Sequence, residues 1–167
     1  LFNINYRPVP PVEPIPTTTL GFDAPVGTPE ERRSSQLWPG DWRDAWHPSS
    51  GYAQKYTDSA GHTSYHTGAD LNKNKPVWDS DRGSPVYATA DGTVRFAGRI
   101  GNYWRNVITI EHRVGESIVV TRYAHVDNML VSAEQSVTRG QQIATVGHSG
   151  PNGPYHLHFD VSLTTAL

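Results

Sequence analysis

The sequence predicts an all-β domain built from antiparallel sheets. Three observations lead there. From residue 84 onward, short runs of β-branched and aromatic residues alternate with turn residues. The 167 residues include 13 Pro and 15 Gly, a composition of turns and extended chain with little helix. Short strands so closely spaced pair with their neighbours in antiparallel sheets.

The chain begins with proline-rich sequence. Residues 1–20 include Pro8, Pro10, Pro11, Pro14 and Pro16. Proline fixes φ and lacks the backbone donor, so this reads as an extended arm or linker. It leads to a missing upstream domain or packs along the domain surface, where it can cover a groove. Residues 21–60 are irregular and rich in aromatics, with Trp38, Trp42 and Trp46 close together. No period of 2 or 3.6 stands out. Pinning this segment onto the domain is the expected role, with walling of a groove as the alternative. Residues 61–167 then form the domain itself.

The strands follow in order. Pro85–Ala90 meets Asp91-Gly92, and Thr93–Ala97 follows, which predicts a hairpin. Asn106–His112 alternates, with Val107 opposed in parity to Ile108 and Ile110. Ser117–Ala124 is a further β-rich run, and Gln142–Val146 follows a turn at Arg139-Gly140. Residues 128–136 have the one composition suited to a short helix. Gly83-Ser84-Pro85-Val86 and Val137–Ala144 both lead small residues into a strand, a weak internal repeat.

Composition narrows the chemistry. The net charge is −2 with no long basic run, which argues against a nucleic-acid partner held through phosphates. The absence of cysteine removes disulfides, thiolate metal sites and thiol nucleophiles together. Any metal must be held by carboxylates and by the eight histidines. No apolar run approaches the roughly 20 residues of a membrane-spanning helix. The chain starts at Leu1 without Met and ends nine residues after His158, as expected of a processed or trimmed piece.

Three short stretches carry chemistry. In Tyr155–Val161, alternation puts Leu157, Phe159 and Val161 on a core face and His156 and His158 on the other. His66 and Asp70 share one side at their spacing, with Gly68 between them to let the backbone bend. His125 follows a β-rich run, where the chain turns away. Each piece alone has an ordinary reading as a surface histidine or an incidental pair. Together, His66, Asp70 and His158 offer two nitrogens and one carboxylate oxygen. Three protein ligands with an open position describe a catalytic zinc site, whereas a structural site is closed by four. His125 and His156 remain beside it. Asp160 shares parity with both histidines of the strand and can orient an imidazole.

With these stretches, the chain resembles the lysostaphin/LytM-type zinc metallopeptidases, peptidoglycan endopeptidases. The matching pieces are His66–Asp70, Gly83–Val94, Asn106–His112, Tyr123–Val126, Arg139–Ala144 and His156–Phe159, in the family's order. The resemblance covers roughly residues 61–162. It implies an antiparallel β core, a duplicated hybrid motif, with long loops walling a groove. It implies one zinc ion on His66, Asp70 and His158, with His125 and His156 catalytic, and a peptidoglycan peptide as substrate. A secreted, periplasmic or envelope location and a monomer are expected. A non-catalytic module that binds cell wall or activates a partner hydrolase is the alternative. Tyr155 and His148 depart from the family's usual small residues, and both are expected near the substrate groove.

Overall fold

The computed structural model describes residues 21–33, 46–57 and 60–163. The proline-rich arm, Trp38 and Trp42 lie outside the described residues. Among the described residues, eleven strands and one helix of five residues make up the regular structure, which bears out the all-β expectation. The helix, α1 (Pro29–Arg33), is started by a reciprocal cap. The Glu31 amide donates to Thr28 Oγ1 at 3.3 Å, and the Thr28 amide donates to Glu31 Oε2 at 2.9 Å.

The strands are β1 (Trp46–Ser50), β2 (Lys55–Thr57), β3 (Thr63–Tyr65), β4 (Ala69–Lys73), β5 (Pro85–Tyr87), β6 (Gly92–Ile100), β7 (Arg105–Val114), β8 (Ser117–Asp127), β9 (Ser136–Val137), β10 (Gln142–Val146) and β11 (Leu157–Ser162). The main sheet runs β1-β4-β11-β8-β7-β6-β9, and β10 joins it through β8 while pairing β5 on its other side. All of these pairings are antiparallel. β2 and β3 form a separate hairpin whose six residues are all exposed. The two similar stretches noted in the sequence meet here: β5 pairs β10, and the Gly83 amide bonds to Val146 O at 2.9 Å.

The core is aliphatic, with one phenol and one indole inside it. Leu71, Val86, Val94, Ile108, Ile110, Tyr123, Ile143 and Leu157 are fully buried. At about 1.5–3 kcal/mol for each large apolar side chain, their burial is the dominant favourable contribution. Val26 and Trp46, N-terminal to residue 61, belong to the same cluster. The Asp23 amide donates to Thr89 O at 2.8 Å, and the Tyr87 amide to Pro25 O at 2.8 Å. The segment at 21–33 therefore packs into the core and is not a loose lead-in.

Three local expectations are corrected. Asp91-Gly92 does not turn a hairpin. β5 pairs β10 while β6 pairs β7 and β9, so the dipeptide carries the chain from one pairing to the other. Gly92 is required for close packing, because a Cβ there would lie 2.4 Å from Glu111 O. Residues 128–135 form no helix. Two of their amides bond outward, Leu130 to Ile143 O and Glu134 to Val94 O, each at 2.8 Å. Finally, Val161 is 56% exposed, so the apolar face of β11 is buried only at its start.

Candidate metal centre and active site

Asp70 and His158 are directly opposed on β4 and β11, so pairing places both side chains on one face. Gly68 permits this approach by lacking a side chain. Its Cβ would fall 2.3 Å from Phe159 O and 2.7 Å from Asp160 Cβ, so its role is closeness to β11 rather than the backbone bend expected. His66 lies in the short segment between β3 and β4. Its backbone is tied to the preceding loop, with its amide bonded to Gln54 O and its carbonyl to the Ala53 amide.

Three atoms converge. His66 Nε2 is 2.9 Å from His158 Nδ1 and 3.0 Å from Asp70 Oδ1, and His158 Nδ1 is 3.0 Å from Asp70 Oδ1. The outer nitrogens settle what these atoms offer. His66 Nδ1 lies 3.0 Å from Gly51 O, an atom that can only accept, so that nitrogen carries the proton. His158 Nε2 lies 3.1 Å from Asp160 Oδ2, which accepts its proton likewise. Both imidazoles then aim lone pairs at a carboxylate oxygen. Such a donor set is repulsive unless a cation or a proton sits among it. The residues present therefore fit a metal ion. Without a cation, burial disfavours the His158 imidazolium, yet the bonds to Asp160 and Asp70 outweigh it and hold its pKa above the ordinary value. Burial raises the Asp70 carboxyl, but the His158 bond and the three nearby imidazoles leave it below the usual range.

His125 and His156 stand next to this set, with ring centroids 4.8 Å apart. His125 is not beyond the strand end. It sits within β8, at a bulge where Val107 opposes Ala124 and Asn106 opposes Val126. One edge of β8 passes there from β11, paired through Ala124, to β10, paired from Val126. His125 has φ of 60°. That left-handed conformation is rare for a residue with a side chain, and bulges of this kind re-aim side chains. The Gly147 amide secures it by donating to His125 O at 2.8 Å.

Each of these two rings is anchored by a backbone carbonyl. His125 Nδ1 donates to Trp104 O at 3.2 Å and His156 Nδ1 to Pro154 O at 3.1 Å. Each Nε2 is left with a lone pair. His156 Nε2 lies 3.6 Å from Asp70 Oδ1. Burial, reinforced by His156, pushes the His125 imidazole down to about 3. Burial also lowers His156, against the pull of Asp70. Both are neutral near pH 7.

An open groove of about 630 Å³ runs over these residues. Tyr56 and Tyr65 of the β2–β3 hairpin wall one side, Tyr103 and Trp104 another, and Ser149 with Pro154 a third. His148 and Tyr155 do not line it. They bridge each other with ring centroids 5.4 Å apart, and Arg82 covers Tyr155 at 5.1 Å. Strand-like alternation turns them away from the groove while Pro154 and His156 face it. Tyr123 and Asn72 are packing residues. Tyr123 OH bonds Thr89 and Thr121 in the core, and Asn72 holds Ser49 and Tyr155 O. His62 is exposed.

Sequence reasoning missed Trp104, Arg122 and Thr67. The Trp104 ring stacks on His125 at 6.0 Å and 18°, and meets His158 edge-on at 5.1 Å. Arg122 and Asp160 are cross-strand partners. An Arg two residues before Ala124, on the face of the site, is the signal available for Arg122. Trp104 stands in a turn, where no periodicity marks it.

Two nitrogens and one carboxylate oxygen leave a coordination position free, which is the donor set of metal-dependent hydrolases and not of closed structural sites. Residues 64–166 match Peptidase family M23, and the chain belongs to that family. The Peptidoglycan DD-endopeptidase ShyB of Vibrio cholerae is 41% identical over 95 residues, 57% of this chain and 21% of ShyB. The Murein hydrolase activator NlpD of Escherichia coli is 40% identical over 95 residues, 56% of this chain and 24% of NlpD. A zinc-containing peptidase from Vibrio cholerae has the same fold, with TM-score 0.63 and 32% identity over 86% of this chain and 37% of that one. The chain thus spans less than a quarter of the length of these two curated relatives.

Proposed function

We propose that this chain is a zinc-dependent endopeptidase that hydrolyses peptide bonds in bacterial peptidoglycan, outside the cytoplasm. The observation that carries the reading is the division of the four histidines. Two present lone pairs to Asp70, and two keep a free Nε2 while a backbone carbonyl holds Nδ1. A metal site alone does not need the second pair.

His66, Asp70 and His158 hold one zinc ion in this reading. Bound there, zinc supplies Lewis acidity, which polarises a carbonyl and acidifies water. His125 and His156 handle protons. As neutral imidazoles they accept a proton at Nε2 and return it to the departing amine. Once protonated, either can stabilise an oxyanion by donating from the same atom. The hairpin bearing Tyr56 and Tyr65 and the turn bearing Tyr103 and Trp104 orient the peptide between them. All five site residues come from one chain, which supports a monomer as the working unit.

Similarity to the activator NlpD is nearly as high as to ShyB, so identity does not choose between hydrolysis and activation. The filled histidine positions favour hydrolysis. The test is mass spectrometry of fragments released from purified cell walls of different cross-link types, with a chelator control. Chelator-sensitive release is expected from at least one type. No such release from any would favour an activating or wall-binding module.

A further inference from the structure

Arg122 belongs neither to the metal set nor to the second pair of histidines, yet it touches what stands behind both. It faces Asp160 across β8 and β11. Its Nε donates to Asp160 Oδ2 at 2.8 Å, and its Nη2 lies 2.6 Å from the same oxygen. That oxygen accepts from His158 Nε2 at 3.1 Å. Nη2 also donates to Thr67 Oγ1 at 3.3 Å, and Thr67 Oγ1 lies 3.3 Å from His158 Nε2. The guanidinium face covers the Trp104 ring, with Cζ 4.7 Å from its centroid. Trp104 in turn stacks on His125 and meets His158 edge-on.

An exposed ion pair is held weakly and contributes little. Arg122 is different: its side chain is 18% exposed and Asp160's is 8% exposed, and the guanidinium is used along its edge and on its face at once. Without it, Asp160 and Thr67 would be left with their contacts to His158 Nε2 and would lose the guanidinium that ties them to each other. The indole would lose the plate that keeps it parallel to His125.

We infer that Arg122 is a positioning residue that sets both halves of the site, the direction of His158 through Asp160 and Thr67, and the plane of His125 through Trp104. The inference rests on the metal reading above. It gives the two halves a common support, so that alignment of the metal ligand and of the proton-handling imidazole rise and fall together. Lysine cannot replace this. An ammonium can reach Asp160, but it has no plane to lay on an indole.

The experiment uses the full chain and two readouts that do not need turnover. Zinc affinity is measured by competition with a chromophoric chelator, and Co²⁺ absorption reports ligand geometry. The ring-current shift of the His125 carbon-bound protons reports stacking on Trp104. Arg122→Ala is expected to weaken zinc by about 10–100-fold, the usual effect of losing support behind a ligand, and to abolish the ring-current shift. Arg122→Lys should restore zinc affinity to within a few-fold but not the shift. Where Arg122→Ala fails to fold, Asp160→Ala tests the His158 branch and Arg122→Lys the His125 branch. Unchanged zinc affinity and Co²⁺ spectrum in Arg122→Ala or Asp160→Ala, or an unchanged shift in Arg122→Lys, overturns the inference. A wild-type chain that binds zinc but releases nothing from walls would overturn the proposed hydrolysis alone, since both readouts still report on Arg122.

Discussion

His66 Nε2 and His158 Nδ1 lie 2.9 Å apart, although 92 positions separate them in the chain. With both rings neutral, neither can donate to the other, because each ring's proton is engaged on its far side by Gly51 O or Asp160 Oδ2. The contact is stable only with positive charge inside it. Chelator is therefore expected to lower the melting temperature, and zinc to restore it, by linkage to the folded state. Replacing His66, Asp70 or His158 by Ala should abolish that zinc-dependent rise. Calorimetric scans with and without zinc check this, and an equal zinc-dependent rise in the His158→Ala variant would remove His158 from the set.

Gly68→Ala is expected to be far more damaging than an exposed Gly→Ala change. The added Cβ would meet Phe159 O at 2.3 Å and Asp160 Cβ at 2.7 Å, which only separation of β4 from β11 can relieve. Overpacking of this kind costs about 1–3 kcal/mol. The same separation would pull Asp70 from His158, so zinc affinity should fall along with stability. Urea denaturation paired with a zinc titration checks both. Gly61→Ala, with open space around its Cβ but φ of 84°, serves as the strain-only control.

Histidine 112 supplies a pH dependence away from the metal centre. It is fully buried, with Nδ1 2.8 Å from Asp91 O and Nε2 2.8 Å from Thr121 Oγ1. Burial holds its pKa below the ordinary value, against the pull of the Asp91 carbonyl and the Asp91 and Glu111 carboxylates. The folded chain thus binds fewer protons at this site than the unfolded chain, whose histidine titrates near 6.5. Stability from this group is present above that value and is lost as pH falls through it toward the folded pKa. Denaturation midpoints between pH 8 and pH 5 should fall less steeply in His112→Gln than in the parent. Equal slopes would mean that other groups carry the acid sensitivity.

Much of this architecture was legible because strand period and site spacing coincide. Leu157 and His158 reveal opposite faces by parity alone, and the same rule places Asp160 beside His158. The Asp91-Gly92 hairpin was misread because glycine serves two ends. It turns chains, and it also lets one strand lie against another, as Gly92 does against Glu111. Residues 128–135 lack an alternating pattern and are held by single bonds from Leu130 to β10 and from Glu134 to β6, tertiary facts that no local window contains. Trp104 was invisible for a related reason. Its importance arises from the turn that sets it between His125 and Arg122, and only assembly of β7 with β8 creates that position.

In the proposed reading, His125→Ala separates metal binding from proton handling. His125 makes none of the three converging contacts, so zinc affinity should stay within a few-fold of the parent. Turnover on a susceptible cell wall should fall by about 10²–10⁴-fold, the usual contribution of a positioned acid–base group. Stability should fall, because alanine loses the ring stacked on Trp104 and its bond to Trp104 O while keeping the strained backbone. Glycine at the same position would relax the φ of 60° that histidine holds under strain. A comparison of His125→Ala with His125→Gly isolates that strain: the glycine variant should be the more stable and equally inactive. Full turnover in His125→Ala would transfer the whole proton-handling role to His156, whose Nε2 already lies 3.6 Å from Asp70 Oδ1.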